Sequence, residues 1–188
     1  FMKMELVIFD LDDTLFKTSA KVLVKKNNSV SKKLSNKEYN EYTLDKDEEY
    51  DYKEFSDASL FNKTSQPIEK TLGLLKRLLS DLKQKEVIIV TARQDLDNKN
   101  LFLDTFKNFG IDIENCYVER SGNLKNMKPS EAKKVVFRKY LSSGKYSEVK
   151  LYEDSVSNIH ALLSLRTKFP KIKFKAYLVN ILGELREF

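Results

Sequence analysis

The segment VIFDLDDTLF, residues 7–16, joins an apolar run to three closely spaced carboxylates, those of Asp10, Asp12 and Asp13. An apolar run of this kind is typical of a strand that is buried on both faces of a parallel sheet. Closing a turn or capping a helix needs one such acid, and three acids exceed that need. The segment therefore predicts a buried strand that ends in a functional site.

Four further apolar runs follow along the chain, and segments with helical spacing of apolar residues separate them. The runs are VIIV at 87–90, CYV at 116–118, VKLY at 149–152 and FKAYLV at 174–179. Short apolar strands that alternate with amphipathic helices pair in parallel and carry helices on both faces of the sheet. The pattern predicts an α/β fold with a doubly wound, Rossmann-like parallel sheet.

Length and composition exclude several classes of protein. The 188 residues suit one domain, which we place at residues 2–188. The lone cysteine, Cys116, rules out an internal disulfide framework and is expected to be inert packing within a strand. No apolar run is long enough to cross a membrane, and no signal peptide is visible. These features favour a cytoplasmic protein with no membrane partner, and they leave the oligomeric state open.

A charged segment, residues 17–66, interrupts the apolar pattern after the first strand, and we call it the insertion. Residues 17–37 hold seven lysines and no acid, whereas residues 38–57 hold nine acids and two lysines. One interpretation is a solvated surface insertion whose opposite charges partly pair. The other interpretation is a small cap over an active site, and the position of the insertion directly after the three acids favours it.

Candidate site residues, all but one of them polar, follow four of the predicted strands, at the edge where open α/β sheets bind ligands. They are Asp10, Asp12, Asp13 and Thr14 after the first strand, Thr91, Ala92 and Arg93 after the second, Lys125 and Lys128 after the third, and Glu153, Asp154 and Asn158 after the fourth. Mg²⁺ prefers hard oxygen ligands, and carboxylates from two strand ends can hold it. An ionised Asp can attack phosphorus, and an Asp two residues later points the same way and can act as general acid and base. The pattern therefore suits a magnesium ion and a phosphate.

Three of these segments resemble motifs of the haloacid dehalogenase-like (HAD) phosphohydrolase superfamily. FDLDDTL resembles motif I, VTAR resembles motif II, and LYEDSVSN resembles motif IV, with Asn158 where many members have a further Asp. The resemblance extends over most of the chain outside the insertion. It implies a central sheet of strand order 5-4-1-2-3 and Mg²⁺-dependent phosphoryl transfer through an aspartyl phosphate.

The resemblance also implies roles for the acids. Asp10 is expected to be the nucleophile and Asp12 the general acid and base. The expected ligands of Mg²⁺ are Asp10, the backbone carbonyl of Asp12, and Asp154. Glu153 stands where Gly or Asp is commoner, and we expect it to support the metal indirectly.

The remaining candidates are expected to contact the substrate. Thr91 matches the motif II residue that binds the transferring phosphoryl group. The substrate-binding candidates are Asp13, Thr14, Ala92 and Arg93. Arg93 has two interpretations, since it can contact the substrate phosphate or pair with a nearby acid.

A lysine is expected to neutralise the phosphoryl charge, and four lysines compete for that role. Lys128 precedes Pro129 and resembles the Lys-Pro found before a helix in many HAD members, so we favour Lys128 as the catalytic lysine. Lys125, Lys133 and Lys134 lie close enough in sequence to be alternatives.

The substrate is predicted from charge and from overall pattern. Residues 125–188 hold fourteen Lys and Arg against six acids, and a basic rim beside a phosphate site favours polyanions. The chain is also similar in pattern to small HAD nucleotidases and polynucleotide phosphatases. We therefore expect a phosphomonoesterase that acts on a nucleotide or a nucleic-acid phosphate end. Two alternatives stay open, a phosphatase for another small ester such as a sugar phosphate, and a non-catalytic HAD-like binding scaffold.

Overall fold

The computed structural model describes residues 3–188, so residue 2 of the predicted domain lies outside the described part. Eleven strands are present in that part: β1 (Met4–Phe9), β2 (Phe16–Lys17), β3 (Val22–Lys26), β4 (Ser29–Leu34), β5 (Glu48–Asp51), β6 (Gln66–Pro67), β7 (Lys85–Thr91), β8 (Tyr117–Arg120), β9 (Tyr146–Glu153), β10 (Lys173–Val179) and β11 (Leu185–Glu187). Six α-helices accompany them: α1 (Asn36–Glu41), α2 (Ala58–Thr64), α3 (Glu69–Ser80), α4 (Lys99–Asn108), α5 (Pro129–Leu141) and α6 (Val156–Leu163). No helix within residues 3–188 is both long and apolar enough to cross a membrane.

The central sheet has the order β11-β10-β9-β1-β7-β8. Its first five strands in chain order pair in parallel, and β11 adds an antiparallel edge. If the parallel strands alone are numbered along the chain, their order is 5-4-1-2-3. The α/β fold with a mostly parallel sheet agrees with the expectation from sequence. Because β1 lies between β7 and β9, the chain leaving β1 emerges at the middle of the sheet.

Two apolar layers enclose the sheet, because successive residues of β1 face opposite sides. Val7 and Phe9 pack into the layer that contains Leu75 of α3 and Phe106 of α4. The other layer takes the alternate residues of β1 together with side chains from α5 and α6; its members include Leu6, Ile8, Val136, Phe137, Ile159 and Leu162. Burying both faces of β1 explains why its sequence is a continuous apolar run.

The insertion folds into a sheet of its own, separate from the central one. Strands β4, β3 and β5 pair antiparallel in that order, and Val22, Val24 and Leu34 form the small apolar cluster beneath them. The turn between β3 and β4 is made by Asn27 and Asn28, both at positive φ, a conformation that Asn adopts readily in tight hairpins. At the base, β2 pairs antiparallel with β6 and holds the two ends of the insertion side by side.

The two charge blocks of the insertion pair with each other. Lys25 Nζ lies 2.7 Å from Asp51 Oδ2, and Lys26 Nζ lies 3.2 Å from Asp47 Oδ2. These contacts follow from the antiparallel pairing of β3 with β5, which sets the lysine-rich strand against the acidic one. The interpretation in which opposite charges partly pair therefore describes these residues, and such exposed pairs contribute little stability.

Candidate active site

The end of β1 places Asp10 between two other strand ends. Phe9 pairs with Ile89 of β7 and with Tyr152 of β9, and the Asp10 N–H donates to the Tyr152 carbonyl at 2.9 Å. The chain then turns back tightly, because the N–H of Leu15 donates to the carbonyl of Leu11 at 2.9 Å. Asp10 is consequently buried at the centre of the carboxyl edge, where the sequence predicted a site.

A buried lysine binds the Asp10 carboxylate. Lys133 Nζ lies 2.7 Å from Asp10 Oδ1 and 2.9 Å from Glu153 Oε2, and the Lys133 residue is only 1% exposed. Burial lowers the pKa of Lys133, but the two carboxylates outweigh it, so the pKa lies above its ordinary value. Lys133 is therefore a charged ammonium that bridges the ends of β1 and β9.

Lys128, the lysine favoured from sequence, lies elsewhere in this arrangement. Pro129 is the first residue of α5, so Lys128 is the N-cap residue, exposed, with its N–H donating to Glu131 Oε2 at 3.4 Å. Lys133 comes after the first turn of α5, on the face that also buries Ala132 and Val136. The Lys-Pro sequence marks where the helix begins, whereas the phase of the helix decides which lysine reaches Asp10.

The other two lysines lie elsewhere. Lys125 is exposed and donates to Gln94 Oε1 at 2.7 Å, on the outer side of the loop after β7. Lys134 is half-buried on α5, next to Lys133 in sequence but rotated away from it by the helix. Of the four candidate lysines, Lys133 is the one that contacts Asp10.

Three carboxylates converge at the centre of the site. Oxygens of Asp10, Glu153 and Asp154 all lie within 4.8 Å of one another. The Lys133 ammonium offsets one of these charges, so two negative charges remain uncompensated when all three acids are ionised. A divalent cation is the complement of this cluster in both charge and ligand type, since hard oxygens are what Mg²⁺ prefers.

The pKa values of the three acids reflect this crowding. Burial raises the pKa of Asp10, but Lys133 and the neighbouring hydrogen bonds outweigh it and bring the pKa below its ordinary value. Burial, then the negative charge of Asp10, raises the pKa of Glu153 to about 7. Burial, then the charges of Asp10 and Glu153, raises the pKa of Asp154 to about 11. Such an acid ionises at neutral pH only when a cation joins it, so the residues fit a divalent metal.

The Asp12 carboxylate is bound by a threonine and an arginine. Its Oδ1 accepts from Thr18 Oγ1 at 2.7 Å and from Arg93 Nη2 at 2.7 Å. Of the two interpretations of Arg93, contact with a substrate phosphate or pairing with a nearby acid, the structure shows the pairing. The Asp12 side chain is not one of the three converging carboxylates, which leaves its backbone carbonyl as its expected contribution to a metal.

Thr14 and Thr91 are both buried and engaged within the protein. Thr14 Oγ1 donates to Asp10 Oδ2 at 2.9 Å and lies 3.4 Å from Asp154 Oδ1, so Thr14 supports the acids. Thr91 Oγ1 accepts from the Arg93 N–H at 3.2 Å. Their roles toward a substrate remain predictions.

Asp13 and Ala92 lie at the rim of the site. Asp13 has φ 60°, and its Oδ2 accepts from Nδ2 of Asn36 in the insertion at 3.2 Å. Burial raises the pKa of Asp13. Ala92 is exposed beside the buried Arg93. The Asn36 contact places the first residue of α1 against the site.

The residues that sequence reasoning did not single out come from the insertion and from the loop after β8. Thr18 and Asn36 are two of them, and their positions inside a charged, low-hydropathy segment gave no signal. Gly122 is the third: its N–H donates to the Arg93 carbonyl at 3.1 Å. Only its place directly after a predicted strand could have drawn attention to Gly122.

Comparison with known proteins agrees with this geometry at the level of the fold. A family model described as protein of unknown function (DUF2608) matches residues 2–161. No curated protein matches the chain. Among solved structures, the HAD domain of the effector protein Lem4 from Legionella pneumophila is similar, with a TM-score of 0.57 and 13% sequence identity over 93% of this chain and 85% of that one. At this identity the likeness shows a HAD-like fold.

Proposed function

The chain belongs to the family of proteins of unknown function DUF2608, and we propose that it is a Mg²⁺-dependent phosphomonoesterase of HAD type. The observation that carries the proposal is the cluster of Asp10, Glu153 and Asp154 beside a single lysine, which would hold two uncompensated negative charges if all three acids were ionised. A cluster of this charge at the carboxyl edge of a parallel sheet costs stability unless it binds a ligand.

In the proposed reaction Asp10 is the nucleophile. Its ionised carboxylate attacks phosphorus, the bond from phosphorus to the leaving oxygen breaks, and Asp12 gives that oxygen a proton. Water then attacks the aspartyl phosphate, and the Asp12 carboxylate takes a proton from the water. Inorganic phosphate leaves and Asp10 is regenerated. Each acid thus returns to its starting state.

Lys133 and Thr14 keep Asp10 ready for attack. Lys133 donates to Oδ1 and Thr14 donates to Oδ2, so the carboxylate plane is fixed from both ends. The ammonium also keeps Asp10 ionised, as the lowered pKa of Asp10 indicates. Mg²⁺, when bound by Asp10, Asp154 and the Asp12 backbone carbonyl, would neutralise charge on the phosphoryl oxygens.

We infer a nucleotide or a nucleic-acid phosphate end as the substrate. The support is the pair of exposed lysines, Lys125 and Lys128, on the rim that follows β8, since exposed cations beside a phosphate site attract polyanions. The paired lysines of the insertion, Lys25 and Lys26, add little to this attraction.

A second candidate is a small phosphate ester such as a sugar phosphate. The observation that favours it is the 3.2 Å hydrogen bond from Asn36 of the insertion to Asp13. This contact places the insertion against the site, in the position expected of a cap. A seated cap limits access to small molecules, whereas an open rim admits a polymer end.

Phosphate release is the test of the reaction. The wild-type protein is assayed with and without Mg²⁺ on nucleoside monophosphates, on 3′- and 5′-phosphorylated oligonucleotides and on sugar phosphates. Asp10→Asn should abolish release, whereas Asp104→Asn, the same change at an exposed position of α4, should leave it intact. The preferred substrate decides between the two candidates. Binding of oligonucleotides without turnover of any substrate would instead support the non-catalytic scaffold.

A further inference from the structure

We propose that Arg93 is a positioning residue that fixes the Asp12 carboxylate, and that it does not bind the substrate phosphate. The inference rests on the proposed function, in which Asp12 is the general acid and base. It extends that function in two ways. Arg93 receives a single role, and the orientation of the Asp12 carboxylate depends on the position of the insertion.

The contact between Arg93 and Asp12 is bidentate. Arg93 Nε lies 3.0 Å from Asp12 Oδ2, and Nη2 lies 2.7 Å from Oδ1. Two parallel N–H bonds fix the plane and the direction of a carboxylate, which one point charge does not do. Asp12 is therefore held in one orientation by a side chain that is itself 1% exposed.

The remaining donor nitrogen of Arg93 is also engaged. Nη1 donates to the Phe55 carbonyl at 3.1 Å, so all three guanidinium nitrogens bond to protein acceptors. The guanidinium carbon lies 4.9 Å from the ring centroid of Phe55 and 5.1 Å from that of Phe61. Because its side chain is only 1% exposed and lies against two rings, Arg93 offers little surface to a phosphate, although a basic residue two positions after a motif II threonine invites that interpretation.

Two segments of the insertion contact Asp12 or the arginine that holds it. Thr18, near its start, donates to Asp12 Oδ1, and Phe55, in its second half, accepts from the arginine that holds the same carboxylate. Asp12 thus keeps its orientation only while these segments stay in place. A misplacement of about 1 Å at a catalytic group costs on the order of 10²-fold in rate, so loss of Arg93 should weaken the acid step.

Leaving-group dependence separates positioning from phosphate binding. A general acid matters for alkyl phosphates, whose leaving oxygen needs a proton, and matters little for nitrophenyl phosphate. The variants are Arg93→Met, Arg93→Lys and the control Arg120→Met, since Arg120 also pairs with an acid, Asp95, at 2.7 Å. The measurements are kcat/KM for the two substrate types with Mg²⁺ present, and the inhibition constant of inorganic phosphate.

We expect Arg93→Met to lower kcat/KM for alkyl phosphates by roughly 10²-fold and for nitrophenyl phosphate by less than about tenfold. The inhibition constant of phosphate should change by less than about threefold, because the phosphate site is intact. Adding Arg93→Met to Asp12→Asn should cause no further loss, since both changes remove one function. Arg120→Met should behave as the wild type.

Three results would overturn the inference. A tenfold weaker inhibition by phosphate, with an equal loss on both substrates, would make Arg93 a phosphate ligand. If both Arg93 variants were as active as the wild type, Arg93 would have no positioning role, and the proposed function would be unaffected. No turnover by the wild type would overturn the proposed function together with this inference. If Arg93→Met does not fold, Arg93→Lys carries the test, because lysine keeps the charge but lacks the two-pronged contact.

Discussion

At the scale of single residues, the most informative feature is a charged lysine where a hydrophobic residue would normally lie. Lys133 is as buried as its apolar neighbours on α5 and is paired with two acids. Buried ion pairs contribute little to stability, but removing one partner leaves the other as an uncompensated buried charge. The buried position of Lys133 is therefore explained by its ion pair with Asp10 rather than by the packing of α5.

Replacing Lys133 should destabilise the protein in a way that metal offsets. Lys133→Met leaves Asp10 and Glu153 buried without a counter-charge, and we expect a loss of about 3–5 kcal/mol in the free energy of unfolding without Mg²⁺. Mg²⁺ should restore part of this loss. Urea denaturation with and without the ion measures both effects. Lys128→Met, at the exposed N-cap, should change stability by less than about 0.5 kcal/mol. An equal loss of stability in Lys133→Met and Lys128→Met would contradict the conclusion that Lys133 is the lysine paired with Asp10.

Mg²⁺ affinity should rise with pH. The pKa of Asp154 is raised to about 11 and that of Glu153 to about 7, so the metal-free protein holds protons that the ion must displace. Each proton released strengthens binding by up to about tenfold per pH unit. Calorimetry between pH 6 and 8, in two buffers of different ionisation enthalpy, counts the protons. Affinity that is independent of pH would show that the acids are already ionised.

At the scale of elements, two loops lock together at the carboxyl edge. The turn after β8 packs so closely on the loop after β7 that a Cβ on Gly122 would lie 2.6 Å from the Arg93 carbonyl carbon and 2.7 Å from the Gln94 nitrogen. The Ser121 hydroxyl donates to the Thr91 carbonyl at 2.9 Å in the same contact. This packing fixes the backbone from which the Arg93 side chain extends.

Two glycine substitutions should therefore act in opposite directions. Gly122→Ala must push backbone apart, and we expect a loss of roughly 1–3 kcal/mol in the free energy of unfolding. Gly73→Ala, in the interior of α3 where a Cβ meets nothing closer than 3.6 Å, should add about 0.5–1 kcal/mol. Thermal and urea denaturation of the two variants test this. Stabilisation by Gly122→Ala would mean that the two loops separate easily.

Elements of the central sheet were predictable because burial on two faces leaves an unbroken apolar run, as in β1. The strands of the insertion were not predicted. Strand β4 (Ser29–Leu34), for example, has only one buried residue and therefore lacks an apolar run. The short, exposed β11 escaped prediction for the same reason. Sequence patterns thus revealed the long apolar runs of the central sheet but missed short elements inside the charged segment, including β3 and α2, although both bury apolar residues.

At the scale of the whole molecule, contacts between distant residues set the limit of prediction. The acids of the site could be found from sequence because each follows an apolar run. The pairing of Asp12 with Arg93 joins residues 81 positions apart. Partial pairing of the two charge blocks was one interpretation of the insertion, but the sequence did not identify Lys25 and Asp51 as partners. Such contacts depend on how elements are arranged, which composition and periodicity do not specify.

The lone cysteine should report on the integrity of the whole fold. Cys116 is buried beside β8, and burial raises its pKa to about 12. At pH 8 only about 10⁻⁴ of a thiol with that pKa is thiolate, so a disulfide reagent should react only after the protein opens. The expected result is labelling that follows unfolding across a urea series. Rapid labelling in native buffer would show that the edge of the sheet opens on its own.

The pairing of β2 with β6 has a consequence for how this fold can diversify. Phe16 pairs with Pro67 and Lys17 with Gln66, so everything between them leaves and re-enters the sheet at one point. Residues can be added to or deleted from the insertion at small entropic cost, while the carboxyl edge of the central sheet keeps its register. That freedom is limited where the insertion contacts the rest of the fold: Thr18 at Asp12, Phe55 at Arg93, Asn36 at Asp13, and Ala58 and Phe61 in the main apolar core. The insertion can therefore change in length and sequence without disturbing the central sheet, provided that these contacts are retained.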